Sequence, residues 1–478
     1  MTPISRSIFG GARSAPGRAA AGIFLAAFFT AGLALALVMV ARSQVSGDQL
    51  NLLARGWRFV VEGEVVPYGN PTSAGGKSPG SLSSLLVGLP LAVWSDFRAP
   101  ALLTLLFHIA AYCMLDRLLA MAGGRRERLL FALFYWLNPW QLYFASHLWN
   151  ANWVGLLGAI HMVTAWGLRE RPAFWPSLFH GLAIGICAQL HPAFVILFLA
   201  TLALWATRQI RLNIAAGALA VALTAVSVLP WAMAVLEDPG LLPGDKGYLG
   251  RGLILVFPLL RGIGYFLRYS SLMVAGRMIL FDFTPALGPG ADAVLAPLMK
   301  SFAQAAGILS LAAPLLAHRW FWPRLKRRFF RRGSRPASGR LWLAGYAGTT
   351  LAAALVASAL SPTTFMLWQG FVVLHAAVLP VVLVGAVLWR SRRGPAVRRW
   401  LIAYAAASLI ILAAMTWAAP MYRKGGRDAR AIAMRADHPM LHELNIAAHC
   451  TVPLDPIGGW WPDVLPEPGS DSGATSQE

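Results

Sequence analysis

Cysteine is nearly absent from this chain, and charge is scarce. Only three cysteines occur in 478 residues, and two of them, Cys113 and Cys187, lie inside apolar runs. A disulfide framework and a paired Cys-x-x-Cys metal site are both excluded. Charged residues make up 13% of the chain against 57% apolar, and the mean hydropathy is +0.58. A soluble protein of this length needs far more polar surface, so the class is an integral membrane protein. Acid is the scarcer sign, with 20 Asp and Glu against 41 Lys and Arg and a net charge of +21. That balance also suits nucleic acid, but here the basic residues stand in short clusters between apolar runs. Loops held against an anionic leaflet have that pattern, and no nucleic-acid partner is expected. The common soluble-enzyme motifs are incomplete too. No complete phosphate loop is present, since Pro71 stands where Gly-x-x-x-x-Gly-Lys-Ser needs its first glycine; Gly76-Lys77-Ser78-Pro79-Gly80 fits the letters of Gly-x-Ser-x-Gly without an apolar strand run directly before it; and His442-Glu443 lacks the second histidine of a zinc helix because position 446 is Ile446. His438, His442 and His449 read as surface histidines of a short tail, so no metal site is assigned.

What the chain does have is apolar runs of membrane length. About 20 such residues cross a 30 Å hydrocarbon core, and the pattern predicts an all-α polytopic protein with about 11 transmembrane helices. The first run, residues 19–41, is longer than a signal-peptide core and lacks a small-x-small cleavage site, so it reads as a retained helix with its N-terminus in the cytoplasm. Further spans are read at 99–121, 129–143, 152–168, on either side of His191-Pro192, and at 212–236, 298–317, 341–360, 365–389 and 401–419. The cluster from Arg319 to Arg340 marks a cytoplasmic loop. On this reading residues 1–419 form one membrane domain, with a first external loop at 42–98 and a second external region at 237–297. Residues 420–478 form an external tail whose acidic, Gly/Ser-rich end has the composition of a disordered segment.

The stretch the rest is organised around is 47–80, directly after the first span. Leu50, Leu53, Trp57, Val60 and Val61 recur at helical spacing with Arg55 and Arg58 on the other face, which predicts a helix lying in the interface. Residues 82–94 are too short to span. The topology gathers a polar set on one membrane face: Asp48 and Gln49, Lys77, the loop His147/Asn150/Asn152, and His191. Ionisable groups beside hydrocarbon are functional candidates by default. A transferase acting on a sugar held by a polyprenyl phosphate needs a base for the acceptor hydroxyl, a cation for the departing phosphate and an apolar groove for the lipid. Asp48 can be the base and Lys77 the cation, with Arg251, Arg261 and Arg268 as further phosphate candidates. Each residue also has a structural reading: Asp48 as a helix cap, Lys77 as a snorkelling lysine, His191 and the asparagines as turn and capping residues, and the arginines as headgroup contacts.

An acid directly after helix 1, followed by a long loop that reaches Lys-x-Pro before the next span, resembles the GT-C membrane glycosyltransferases. The likeness is to the protein O-mannosyltransferase and aminoarabinose-transferase-like group in particular. That group commonly reads Asp-Glu and Lys-Pro-Pro-Leu where this chain has Asp48-Gln49 and Lys77-Ser78-Pro79-Gly80. The resemblance implies Asp48 as the catalytic acid residue and Lys77 as the donor-phosphate ligand. This chain departs from the group where Arg-Pro-Asp and Thr-Lys are common, having Leu148-Trp149-Asn150 and Leu190-His191-Pro192. The likeness covers roughly the first 210 residues.

The expectation is therefore a GT-C type transferase. It moves a sugar from a polyprenyl-phosphate-linked donor to an envelope lipid, glycan or protein on the external face of a bacterial inner membrane. Asp48 is the catalytic residue, and Lys77, Gln49, His147, Asn150, His191 and Arg251 are substrate-binding candidates. No cofactor is assigned, and a divalent cation is compatible with the site. The alternative is a flippase or transporter of a lipid-linked precursor, which would use ionisable groups in mid-membrane. The candidates there are His108, His161, His180, Gln189, Gln369 and His375.

Overall fold

The computed structural model describes residues 16–43, 45, 47–72, 76–242, 256–273, 289–329, 338–361, 365–418 and 439–446. The chain is built from helices, as its apolar runs require, because in hydrocarbon every backbone polar group must be satisfied within its own segment. The helices are α1 (Pro16–Ala41), α2 (Gly47–Val61), α3 (Leu82–Val93), α4 (Ala99–Ala122), α5 (Arg125–Phe131), α6 (Pro139–Ala145), α7 (Asn150–Gly167), α8 (Phe174–Leu190) and α9 (Phe194–Ala206). They continue as α10 (Ile214–Glu237), α11 (Val256–Tyr269), α12 (Pro289–Ser310), α13 (Ala312–Phe329), α14 (Gly339–Ala359), α15 (Leu367–Gly370), α16 (Leu374–Arg390), α17 (Gly394–Ala418) and α18 (Pro439–Glu443). Among the described residues seven helices are long and apolar enough to cross a membrane unaided, and Leu82–Val93, Phe174–Leu190 and Phe194–Ala206 are shorter apolar helices. The chain is an all-α polytopic membrane protein. Among the described residues the one β element is the antiparallel hairpin of β1 (Tyr68–Pro71) and β2 (Lys77–Pro79) inside the first loop.

The span read at 129–143 is not a continuous helix. It comprises α5, a wide turn over Ala132–Trp136 and, after the Asn138-Pro139 break, α6. The break is tolerated because it is buried and its polar groups are met. The Asn138 amide donates to Phe134 O and Tyr269 O, and the Ser408 hydroxyl donates to Leu137 O at 2.6 Å. The span read at 298–317 is part of a longer pair, α12 and α13, which meet at Leu311. The region read from sequence as external at 237–297 holds α11, which packs on α14 and α16. The rest of that region's centre, and most of the tail, lie outside the described residues.

Charge divides the two faces. On one, Glu127, 1% exposed, accepts from Arg340 Nε at 2.6 Å and faces Arg390, while Arg128 pairs with Asp116. The start of α5 thus meets the start of α14 and the end of α16 through ion pairs. The opposite face carries the first loop, the turn before α7, the His191 turn and residues 439–446. That last segment docks on the first loop: Met440, Leu441 and Ile446 are fully buried, Trp57 Nε1 donates to Glu443 at 2.6 Å, and Phe97 N donates to Leu444 O.

Mid-bundle histidines are bound to one another through hydroxyls. His161 contacts Tyr346 Oη and Thr201 Oγ1, both at 2.9 Å, and His180 contacts Thr201 and Thr164, also at 2.9 Å. His108 lies between Gln141 and Asn152 O. These groups knit α7 to α8, α9 and α14, which is how a polar side chain is accommodated in the apolar interior.

Candidate functional site

Residues 47–61 form α2, as their spacing predicts, but the helix is not simply laid on a surface. Leu50, Leu53 and Ala54 are buried, and so is Arg55, at 0% exposure. The sequence reading put Arg55 on the polar face, and the structure corrects this. Its guanidinium is turned inward to Asn51 O at 2.9 Å, Asn70 Oδ1 at 3.2 Å and Tyr68 O at 3.2 Å. Only Arg58 stays on the open face, paired with Glu62 and Glu64. A buried guanidinium must have its donors met, and here meeting them fixes the β-hairpin against α2.

The hairpin brings the two ends of the stretch into one unit. Asn70, 3% exposed, accepts from Arg55 and donates its own amide N–H to the Asp48 carbonyl at 3.0 Å. Ser78 Oγ donates to Asn70 O, and Lys77 stands in register with Pro71. The Lys77 ammonium lies 5.9 Å from the centre of the Tyr68 ring, and the Arg55 guanidinium lies 5.7 Å from it. Gly80 closes the unit with a φ of +88°, which disfavours any side chain, and a Cβ added there would meet Gln189 Oε1 at 2.3 Å and have to displace that side chain.

The Asp48 side chain is partly open. Its Oδ2 accepts from Trp149 Nε1 at 3.1 Å. Trp149 has an extended backbone just ahead of α7, which turns the indole away from the helix and towards the first loop. Beneath it lie the rings of His147 at 6.1 Å and Phe144 at 6.4 Å, and Trp368 stands against it at 5.2 Å. Trp368 belongs to α15, whose Leu367 carbonyl accepts from the Tyr269 hydroxyl of α11. Next to α15 a cavity of about 380 Å³ is lined by Arg261, Gly264, Tyr265, Leu267, Arg268, Met273 and Leu311. Two guanidiniums on one wall suit an anion, and the apolar remainder suits a hydrocarbon chain.

The other sequence candidates fall beside this centre. Gln49 is 3% exposed and turns inward, towards a small space lined by Ser43, Leu53 and Leu148 among others. His147 donates from Nδ1 to Tyr143 O at 2.7 Å, and burial lowers its pKa to about 3. His191 accepts from Ala193 N at its own Nδ1, and burial lowers its pKa to about 4. Both rings are therefore neutral at pH 7, and neither supplies a cation there. Asn150 donates to Leu190 O at 3.1 Å and so ties the start of α7 to the end of α8. Arg251, and with it His438 and His449, lies outside the described residues. Among the described residues no group of three His, Cys, Asp or Glu side chains is placed to hold a metal. Sequence reasoning missed Arg55, Asn70, Tyr68, Trp149 and Trp368. The signal for Trp149 was its place in a short loop between spans, but a tryptophan near a membrane face reads first as interfacial girdle.

No family model and no curated protein matches the chain. Among solved structures, ArnT from Cupriavidus metallidurans bound to undecaprenyl phosphate is similar, with a TM-score of 0.53 and 12% identity, covering 90% of this chain and 85% of that one. ArnT from the same organism in the apo state aligns with a TM-score of 0.44 and 14% identity. At such identity the likeness is one of fold. This chain shares its fold with the first of these structures, and the shared fold extends over nearly its whole length, beyond the first 210 residues.

Proposed function

We propose that this protein is a membrane glycosyltransferase that moves one sugar from a polyprenyl-phosphate carrier to a hydroxyl of an envelope acceptor, at the external face of a bacterial inner membrane. The observation that carries the reading is the first loop. Asp48, whose carboxylate is partly open, has its backbone carbonyl held by Asn70 of the hairpin that carries the Lys77 ammonium, on a fold shared with a protein captured with undecaprenyl phosphate. The cavity beside α11 adds two guanidiniums and an apolar wall.

In the proposed step the acceptor oxygen attacks the anomeric carbon as the bond from that carbon to the carrier phosphate oxygen breaks. The electron pair stays on the phosphate, which Lys77, Arg261 and Arg268 receive as a dianion. The acceptor proton passes to Asp48 and then to water. Holding both substrates at one membrane face removes much of the entropic barrier. Neutral His147 and His191 have no part in the charge balance and shape the turn beneath.

The reading is tested by mass spectrometry of envelope lipids, glycans and proteins from cells with the native chain, without it, and with an Asp48→Asn chain. The native chain should restore a sugar that the other two lack, with sugar-loaded carrier accumulating outside in both. Normal modification by a correctly inserted Asp48→Asn chain would refute the role of Asp48. Loaded carrier held on the cytoplasmic side in the deletion would favour transport of the carrier instead.

A further inference from the structure

The reading above leaves the sugar itself without a binding surface. We infer that Trp149 and Trp368 form the subsite that receives it, as an angled pair of indoles against which the apolar C–H face of a pyranose is held. This rests on the transferase reading and deepens it. The two rings lie 5.2 Å apart and are inclined at 57°, so they make a corner rather than a stack. Both remain partly exposed, while the rings under them are closed off: Phe144 is 0% exposed, and His147 and Phe371 are each 1% exposed. An indole left partly exposed beside a buried aromatic bed is apolar surface that a ligand can cover.

Three features set this pair apart from interfacial girdle. A girdle tryptophan directs its N–H to headgroups or water, whereas the Trp149 N–H is given to Asp48 Oδ2 at 3.1 Å. Trp368 stands on a single turn of helix whose start is held by Gln369 Oε1 accepting from Met366 N at 2.6 Å and by Tyr269 donating to Leu367 O. The corner also lies between the carboxylate proposed to take the acceptor proton and α11 with its arginines. A sugar seated there has its ring on indole, its hydroxyl edge towards Asp48 and its linking phosphate towards a cation. The hydrogen bond ties ring and carboxylate together, so the surface that seats the sugar also sets the group that acts on it. Trp368 is then a determinant of sugar recognition. Trp149 has a second duty as the positioning residue of Asp48.

The test uses the purified full-length protein in nanodiscs, offered a mixture of bare undecaprenyl phosphate and undecaprenyl phosphate carrying one neutral hexose or pentose. The retained lipids are weighed by mass spectrometry. The native protein should enrich at least one loaded carrier over the bare one. Trp368→Leu should lower that enrichment about tenfold while bare-carrier retention stays unchanged, and Trp368→Phe should restore most of it. Trp149→Phe, which keeps a ring but removes the N–H, should retain enrichment and lower the transfer rate. The inference is overturned if the native protein shows no enrichment, if Trp368→Leu retains it, or if that variant loses bare and loaded carrier alike. Retention of neither carrier by the native protein would also remove the transferase reading. Sugar transfer that is indifferent to Trp368→Leu would remove this inference alone.

Discussion

Trp149 donates its indole N–H to the carboxylate of Asp48 at 3.1 Å, across 101 residues of sequence. One partner starts the helix after the first span, and the other precedes the helix that leaves the third. Their meeting turns a loop acid into a group of fixed orientation. A charge-assisted hydrogen bond of this kind contributes about 1.5–3 kcal/mol when desolvated. Trp149→Phe should therefore lower kcat by about ten- to a hundredfold with a small change in KM for the carrier, measured by transfer kinetics in nanodiscs. An unchanged kcat would show that Asp48 needs no such support.

Arg55 is the hub of the first loop. It is fully buried and bound to Asn51, Tyr68 and Asn70. Arg55→Met keeps the bulk and strands the three acceptors, so a loss of about 2–4 kcal/mol is expected. Thermal unfolding in detergent should show it as a lowered Tm. Protease cleavage within the first loop should rise with it, because the hairpin loses its anchor.

Gly80→Ala should destabilise by about 1–3 kcal/mol for two separable reasons. Its φ of +88° disfavours any Cβ, and that Cβ would lie 2.3 Å from Gln189 Oε1. Adding Gln189→Ala should recover the steric part and leave the conformational part. Full recovery of Tm would mean that the backbone carries no strain, and no recovery that Gln189 is not the obstacle.

Acid should weaken the loop face through His191. Burial lowers its pKa from an unfolded value of 6.5 to about 4, so the unfolded chain binds the proton first as pH falls. Stability is full above about pH 6.5 and declines towards pH 4, by at most about 1.4 kcal/mol per pH unit from this residue. His191→Gln, which cannot take up a proton, should flatten the Tm–pH curve in that window. An identical curve would place the acid sensitivity elsewhere.

The docked segment 439–446 should matter to the first loop as well. Glu443→Ala removes the acceptor for Trp57 Nε1, and Asp96→Ala removes the partner of Asn445 and Arg98. The double variant should loosen both segments, seen as faster hydrogen exchange in residues 47–61 and 439–446 together. Faster exchange in the tail segment alone would show that the first loop holds its shape unaided.

The class was legible in the residues alone, because hydropathy and the placement of arginine depend only on transfer free energies that add along the chain. The residues alone also determined α1, α2, α3 and α4 nearly to the residue, and the choice of Asp48 and Lys77 as the groups to watch. Tertiary structure alone decided what those groups meet. The inward turn of Arg55, the hairpin built on Asn70, the break at Asn138-Pro139 and the indole on Asp48 each depend on partners tens to hundreds of residues away. No local period encodes such pairings. They follow from the requirement that each buried donor find an acceptor once the helices have packed.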